Sequence, residues 1–269
     1  MQRLAKAKVV LTDYVWDSLD AEKKALDGIA DLVVLNVKTP HELALHISDC
    51  DALLNTYVGP ITADVMAQMP KCKIIARYGI GVDTIDLDAA TKAGIIVTNN
   101  PTYCIEEVAE HAMALLLACA RKIPLYDRLV RAGRWELPPG KPMFRMAGST
   151  LGLIGFGHTS REVASRAAVF GMRVIFYDPF VKEGQFDVKA NKAELNEPLR
   201  ESDFVSLHAP LVPQTRKMIN DETLRHMKPT AFVISCARGA IPPDTYAPKK
   251  DTHFGETRYP PGCGGDSAL

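Results

Sequence analysis

The sequence predicts an α/β fold built on two parallel sheets, and three observations predict it. Short apolar runs alternate with longer helix-like stretches over the first hundred residues, and the alternation starts again near residue 150. A glycine turn, Gly155-x-Gly157-x-x-Ser160, stands directly after one apolar run and at the start of a helical one. Between the two halves lies "PTYCIEEVAEHAMALLLACARKIPLYDRLVRAGRW", whose apolar positions run nearly all round over 108–119. Alternating strand and helix signals place helices on the faces of a parallel sheet. A helix that is apolar on every side is expected to be buried, between domains or between subunits.

Taken in order, "AKVVLTD", "DLVVLN", "DALLNT", "KIIARYG" and "IIVTNN" read as strands. The stretches "DAEKKALDG", "TPHELALHISD", "TADVMAQMPK" and "TIDLDAATKAG" between them read as helices. Pro101 marks the start of the long apolar helix, expected over 103–120, and "ELPPGKPMFRMAGS" is a loop. A second cycle follows: strand "TLGLIGFG", helix "HTSREVASRAAVFG" closed by Gly171, and strand "RVIFYD". Then come a short helix in "NKAELNEPLRES", strand "DFVSLHAP", helix "INDETLRHMKP" and strand "TAFVISCA". No repeat of 20–50 residues appears, which excludes a solenoid.

Composition narrows the function. With 32 basic and 32 acidic side chains in 269 residues, the formal net charge is 0. That balance argues against nucleic acid or an anionic membrane as partner. The apolar run near the N-terminus is interrupted by Asp13 and Asp17, so it reads as a first strand and not as a signal peptide or membrane span. The six cysteines form no CxxC pair, so no metal site or disulfide framework is expected, and a reducing cytoplasm is the expected compartment.

The glycine turn carries chemistry because of what surrounds it. Gly155 permits a tight turn, and Gly157 lets a pyrophosphate approach the backbone. The helix start then presents unpaired N–H groups to the phosphates. Asp178 ends the next strand, 21 residues beyond Gly157. There it accepts hydrogen bonds from the ribose hydroxyls and repels a 2′-phosphate, which predicts NAD in preference to NADP. Phe156, His158 and Thr159 belong to the same turn. Ser160 stands where Gly or Ala packs helix against strand most closely, so looser packing and weaker binding are expected.

Several motifs converge on one family. The stretches "RYGIGVDTIDLDAATKAGIIVTNNP", "EEVAEHAMALLLACAR", "GSTLGLIGFG", "FGMRVIFYDP", "SDFVSLHAPLVPQTRKMIN" and "MKPTAFVISCARGA" resemble those of the D-isomer-specific 2-hydroxyacid dehydrogenases. The likeness is greatest to the branch of phosphoglycerate dehydrogenases and C-terminal-binding-protein-like members. It covers roughly residues 5–241. The resemblance implies a flavodoxin-like substrate domain over 1–100 and a doubly wound Rossmann coenzyme domain over 101–241. It implies NAD as cofactor, a small 2-hydroxy or 2-oxo acid as substrate, and allows a homodimer through the coenzyme domain.

The resemblance also implies roles. Backbone N–H groups of Gly79, Ile80 and Gly81 would hold the substrate carboxylate, as backbone nests hold anions. Arg238 would bind that carboxylate and polarise the adjacent carbonyl. Pro210 and Thr215 would lie along the coenzyme, with His208 beside it at a strand end. Cys236 and Ala237 would lie near the nicotinamide ribose, Cys236 as a packed residue and not as a nucleophile. Glu110 and His111 read as an interdomain or interface pair.

The pattern stops after residue 241. Residues 242–269 include five Pro and four Gly, a disorder-prone composition without a strand or helix period. The family's acid–base His and its acidic partner, which lie downstream of the Arg, have no match there. His253 with Glu256 is a poor substitute, with no strand to fix it. The expectation is a chain truncated or frame-shifted near residue 241. Its Rossmann sheet then lacks its last strands, the "AFVISC" strand stands at an open edge, and activity is impaired. Two other readings stay open: a non-catalytic NAD(H)-binding sensor or co-repressor-like module, and a product without function.

Overall fold

The structure, a computed structural model, describes residues 6–182, 184, 186–241 and the backbone of 256–258. The chain divides into two compact units, Met1–Tyr103 and Cys104–Leu269.

The first unit alternates strand and helix: β1 Ala7–Leu11, α1 Asp20–Leu26, β2 Ala30–Val34, α2 Pro40–Ala44, β3 Ala52–Asn55, α3 Ala63–Ala67, β4 Ile74–Arg77, α4 Leu87–Ala93 and β5 Ile96–Thr98. Local chemistry sets several ends. Thr39 caps α2, whose first residue is Pro40. Asp86 caps α4 by accepting from the Ala89 N–H, and Gly94 closes it in the left-handed region, at φ 68°. The strands pair in parallel in the order β2-β1-β3-β4-β5. Leu53 and Ile75 on paired strands meet Leu43, Ile47, Ile61 and Met69 in a fully buried core. The order reverses between β1 and β3, and a crevice opens at the carboxyl ends of strands flanking such a reversal.

The second unit begins with α5 Ile105–Ala120 and α6 Ile123–Arg131, followed by a 3₁₀ turn at Pro138–Gly140. The sheet elements are β6 Thr150–Ile154, α7 His158–Val169, β7 Arg173–Tyr177, β8 Asn191–Lys192, α8 Asn196–Glu201, β9 Phe204–Leu207, α9 Asp221–Arg225, β10 Phe232–Ser235 and β11 Glu256–Arg258. The order is β11-β10-β9-β6-β7-β8, parallel except for antiparallel β11. Counted within the unit this is the doubly wound order 3-2-1-4-5-6, with its reversal between β6 and β9. Its core stacks Phe156 on Phe176, centroids 3.8 Å apart, with Phe186 edge-on to both.

The helix expected over 103–120 is α5, Ile105–Ala120, and α6 follows after Lys122, which stands in the left-handed region. Three expectations change. α5 is not buried on every side: Ala109, Ala112, Met113 and Leu116 pack inward on α7 and β10, while Glu107, His111 and Ala114 are exposed. Its small residues raise the apolar count all round without needing burial all round. Glu110 faces Arg166 of α7, 4.0 Å away inside this unit, and Glu106 also pairs with that arginine. β10 is not an open edge, because β11 pairs with it, Ile234 opposite Thr257. The readings on 242–255 and 259–269, His253 included, lie outside the described residues.

Candidate functional site

In the second unit the sequence-predicted turn sits at the β6/β9 reversal. β6 is wholly buried, so the chain leaves the sheet only after Ile154. Gly155 then takes φ 87°, and its N–H donates to the Tyr177 carbonyl (2.8 Å). A Cβ at Gly155 would meet the Ala209 nitrogen at 2.8 Å and the His208 carbonyl carbon at 2.9 Å. The loops leaving β6 and β9 therefore touch, and only glycine allows it. Gly157 differs: a Cβ there would meet nothing within 4 Å. It stands at the N-cap of α7 without a side-chain cap, so the first N–H groups of a twelve-residue helix receive no acceptor from it. That is room and polarity for a dinucleotide pyrophosphate, and the residues present fit NAD.

The other residues of the turn fall into place around it. Phe156 is fully buried, so it serves through its backbone alone. Its N–H donates to Asp178 Oδ2 (2.8 Å), and its carbonyl accepts from Arg161 Nε (3.2 Å). Asp178 Oδ1 accepts from the Phe180 (2.8 Å) and Val181 (3.2 Å) N–H groups. These bonds fix the carboxylate beside the turn, and Oδ2 keeps a lone pair for a ribose hydroxyl. His158 is exposed and Thr159 half-buried. Ser160 departs from expectation. It is fully buried among the inward residues of α7, and its Oγ has no partner, so its cost is an unpaired hydroxyl and not a gap.

At the ends of β9 and β10, His208 follows Leu207, and Ser206 Oγ lies 2.8 Å from its Nε2. Burial of the imidazole pushes its pKa down to about 4, so the ring is neutral near pH 7. Thr215 is buried, and its hydroxyl donates to the Pro210 carbonyl (2.6 Å) while accepting from the Val212 N–H (2.9 Å). It shapes the loop that Pro210 opens. The Cys236 thiol is pushed up to about 11 by burial, which suits a packed residue and not a nucleophile. Ala237 packs against the neighbouring core cluster. Arg238 is half-buried at the end of this strand; its Nη1 donates to the Ala237 carbonyl (3.0 Å). Ala240 and Ile241 accept from Lys217 and Ile219, tying the segment after Arg238 to the loop after β9.

In the first unit, Gly79, Ile80 and Gly81 follow β4, and Ile80 is exposed. Their carbonyls are all engaged: Gly79 by the Asn100 N–H (3.2 Å), Ile80 by Asn99 Nδ2 (2.7 Å), and Gly81 by Arg77 Nε (3.3 Å). Sequence reasoning missed Arg77 and Asn99. The available signals were a cation ending an apolar strand in "KIIARYG" and two adjacent amides after β5 in "VTNN". At the carboxyl end of β1, buried Asp13 accepts from the Tyr57 N–H (2.8 Å).

Known proteins resemble this chain closely. Residues 113–244 match the family described as D-isomer specific 2-hydroxyacid dehydrogenase, NAD binding domain. A glyoxylate reductase of Korarchaeum cryptofilum is 42% identical over 200 residues, 72% of this chain and 60% of that protein. The chain therefore spans less than two thirds of that relative. A hydroxypyruvate reductase of Thermotoga maritima is 40% identical, covering 84% of this chain and 74% of its own length. Among solved structures, a D-lactate dehydrogenase from Aquifex aeolicus, complexed with NAD and lactic acid, superposes with a TM-score of 0.81 at 29% identity. That match covers 88% of this chain and 71% of the other.

Proposed function

The chain belongs to the D-isomer specific 2-hydroxyacid dehydrogenase family, and from that premise we propose that it binds NAD(H) on the second unit and acts on a small 2-hydroxy or 2-oxo acid. The observation that carries the proposal is the turn at the β6/β9 reversal: a glycine that must be glycine at 155, an open one at 157, and an uncapped helix start between them and the solvent. Bound there, NAD would supply hydride chemistry at substrate C2.

The residues take these parts. N–H groups at the start of α7, with Gly155, Phe156, Gly157, His158 and Thr159, hold the pyrophosphate. Asp178 accepts from the ribose and disfavours a 2′-phosphate. His208, Pro210, Thr215, Cys236 and Ala237 form the wall along the coenzyme, with His208 neutral. Backbone N–H groups of Gly79–Gly81 in the first unit bind the substrate carboxylate. Arg238 in the second unit supplies a charged donor for a substrate carboxylate and for the oxygen on C2.

We also place the protein in the cytoplasm and read it as a homodimer through the second unit. Free thiols at Cys50, Cys72, Cys104, Cys119 and Cys236 support the first reading. No described helix is long and apolar enough to cross a membrane. Apolar side chains exposed along and after α6 support the dimer: Ile123, Val130, Trp135, Leu137 and Phe144.

The test is NADH fluorescence titration of the full chain, then an assay with glyoxylate and hydroxypyruvate. Asp178→Ala should weaken NADH binding by about tenfold and narrow the preference over NADPH, since one charged acceptor is worth roughly 1.5 kcal/mol. Equal affinities for NADH and NADPH in the parent chain would count against the assignment. Tight NADH binding without turnover would favour the sensor reading.

A further inference from the structure

The loop Gly79–Gly81 would act on an anion through its N–H groups, and the hydrogen bonds to its carbonyls bear on how those groups are held. The peptide bonds joining Gly79, Ile80, Gly81 and Val82 are trans, since the cis bonds are at Gly59–Pro60 and Lys141–Pro142. In a trans peptide the carbonyl of one residue and the N–H of the next point in opposite directions. Asn100 N–H holds the Gly79 carbonyl, so the Ile80 N–H points away from Asn100. Asn99 Nδ2 holds the Ile80 carbonyl, so the Gly81 N–H points away from Asn99. Arg77 Nε holds the Gly81 carbonyl, so the Val82 N–H points away from Arg77. Among the described residues, none of the hydrogen bonds ends on these three N–H groups.

Arg77 is itself fixed. Its Nη1 donates to Asn55 Oδ1 (2.8 Å), and Asn55, fully buried at the end of β3, is oriented by its own Nδ2 donating to the Val58 carbonyl (2.8 Å). The guanidinium lies alongside Gly79, its Nε 3.4 Å from where a Cβ would stand, an ordinary contact. Two of its five donors thus join the loop to Asn55.

We propose that Arg77 and Asn99 are positioning residues that pre-orient the Ile80, Gly81 and Val82 N–H groups toward a carboxylate. Both act through the loop that they hold. The inference rests on the reading of Gly79–Gly81 as the carboxylate loop and adds what sets its geometry. Pre-orientation removes an ordering cost that the ligand otherwise bears on binding.

The experiment is an amide-resolved NMR titration of the isotope-labelled full chain, with NADH present and oxamate as the probe. In the parent chain, oxamate should move the Ile80, Gly81 and Val82 amide signals. In Asn99→Ala and Arg77→Met the oxamate affinity should fall by about tenfold, with the NADH affinity unchanged. Arg77→Lys, which keeps a charge but cannot bridge Asn55 and the Gly81 carbonyl together, should give an intermediate loss. If Arg77→Met fails to fold, Asn99→Ala decides, since the Asn99 side chain is exposed. If the parent signals move and Asn99→Ala binds oxamate like the parent, the positioning roles are overturned while the carboxylate loop stands. If the three parent signals do not respond, the loop reading itself falls and this inference with it.

Discussion

At the scale of single residues, two buried polar groups set measurable costs. Ser160 hides a hydroxyl without a partner. An unsatisfied buried hydroxyl costs about 1–3 kcal/mol, so Ser160→Ala should raise the thermal midpoint by several degrees without weakening NADH binding. A lower midpoint in a melting experiment would show that the hydroxyl has a partner after all. His208 carries a pH dependence. Its pKa is about 4 in the fold and near 6.5 in an unfolded chain, so the unfolded state binds the extra proton between those values. Its contribution is therefore complete above pH 6.5 and is lost as pH falls toward 4, an effect on the order of 3 kcal/mol. Urea midpoints at pH 4.5 and 7 should differ by less in His208→Gln than in the parent.

At the scale of elements, the turn between β6 and α7 ties stability to binding. Gly155→Ala would drive a Cβ to 2.8 Å from the Ala209 backbone at φ 87°. It should cost about 2–4 kcal/mol and abolish NADH binding, read by urea titration and by fluorescence quenching. This element was legible in the sequence because its glycines, the strand before them and Asp178 each have a spacing that steric and electrostatic need dictates. The strands were legible for a similar reason: runs such as "LGLI" are buried on both faces and read as continuous apolar stretches. What escaped reading depends on contacts distant in sequence. The left-handed turn at Lys122 falls on a residue that is not glycine, and Pro124 in the first turn of α6 is the signal that was passed over. β8, two exposed residues, has no apolar signature. β11 lies where composition argued against any strand, yet pairing with β10 needs backbone alone. Arg77 and Asn99 looked like ordinary strand-end polar residues until their partners were known.

At the scale of the whole molecule, the exposed apolar side chains after α5 bear on assembly. Trp135 is 91% exposed, and Leu137 and Phe144 are about 60% exposed, more than an isolated surface would be expected to leave bare in one segment. Trp135→Ser should shift the sedimentation of the full chain from dimer to monomer and leave its secondary structure unchanged. A parent chain that sediments as a monomer at micromolar concentration would refute the dimer. Both sheets also divide their labour between two rims. Every residue given a part in binding follows the carboxyl end of a strand, after β4, β6, β7, β9 or β10. The turns entering strands on the opposite rim include glycines at 28, 94 and 148, each with open space around it and none near that chemistry. The consequence is a map of where the chain tolerates engineering. A peptide tag or a new pair of termini placed at Gly28, Gly94 or Gly148 falls on the rim opposite the proposed site and should be tolerated, whereas the same insertion at Gly81 or Gly157 should weaken the proposed binding.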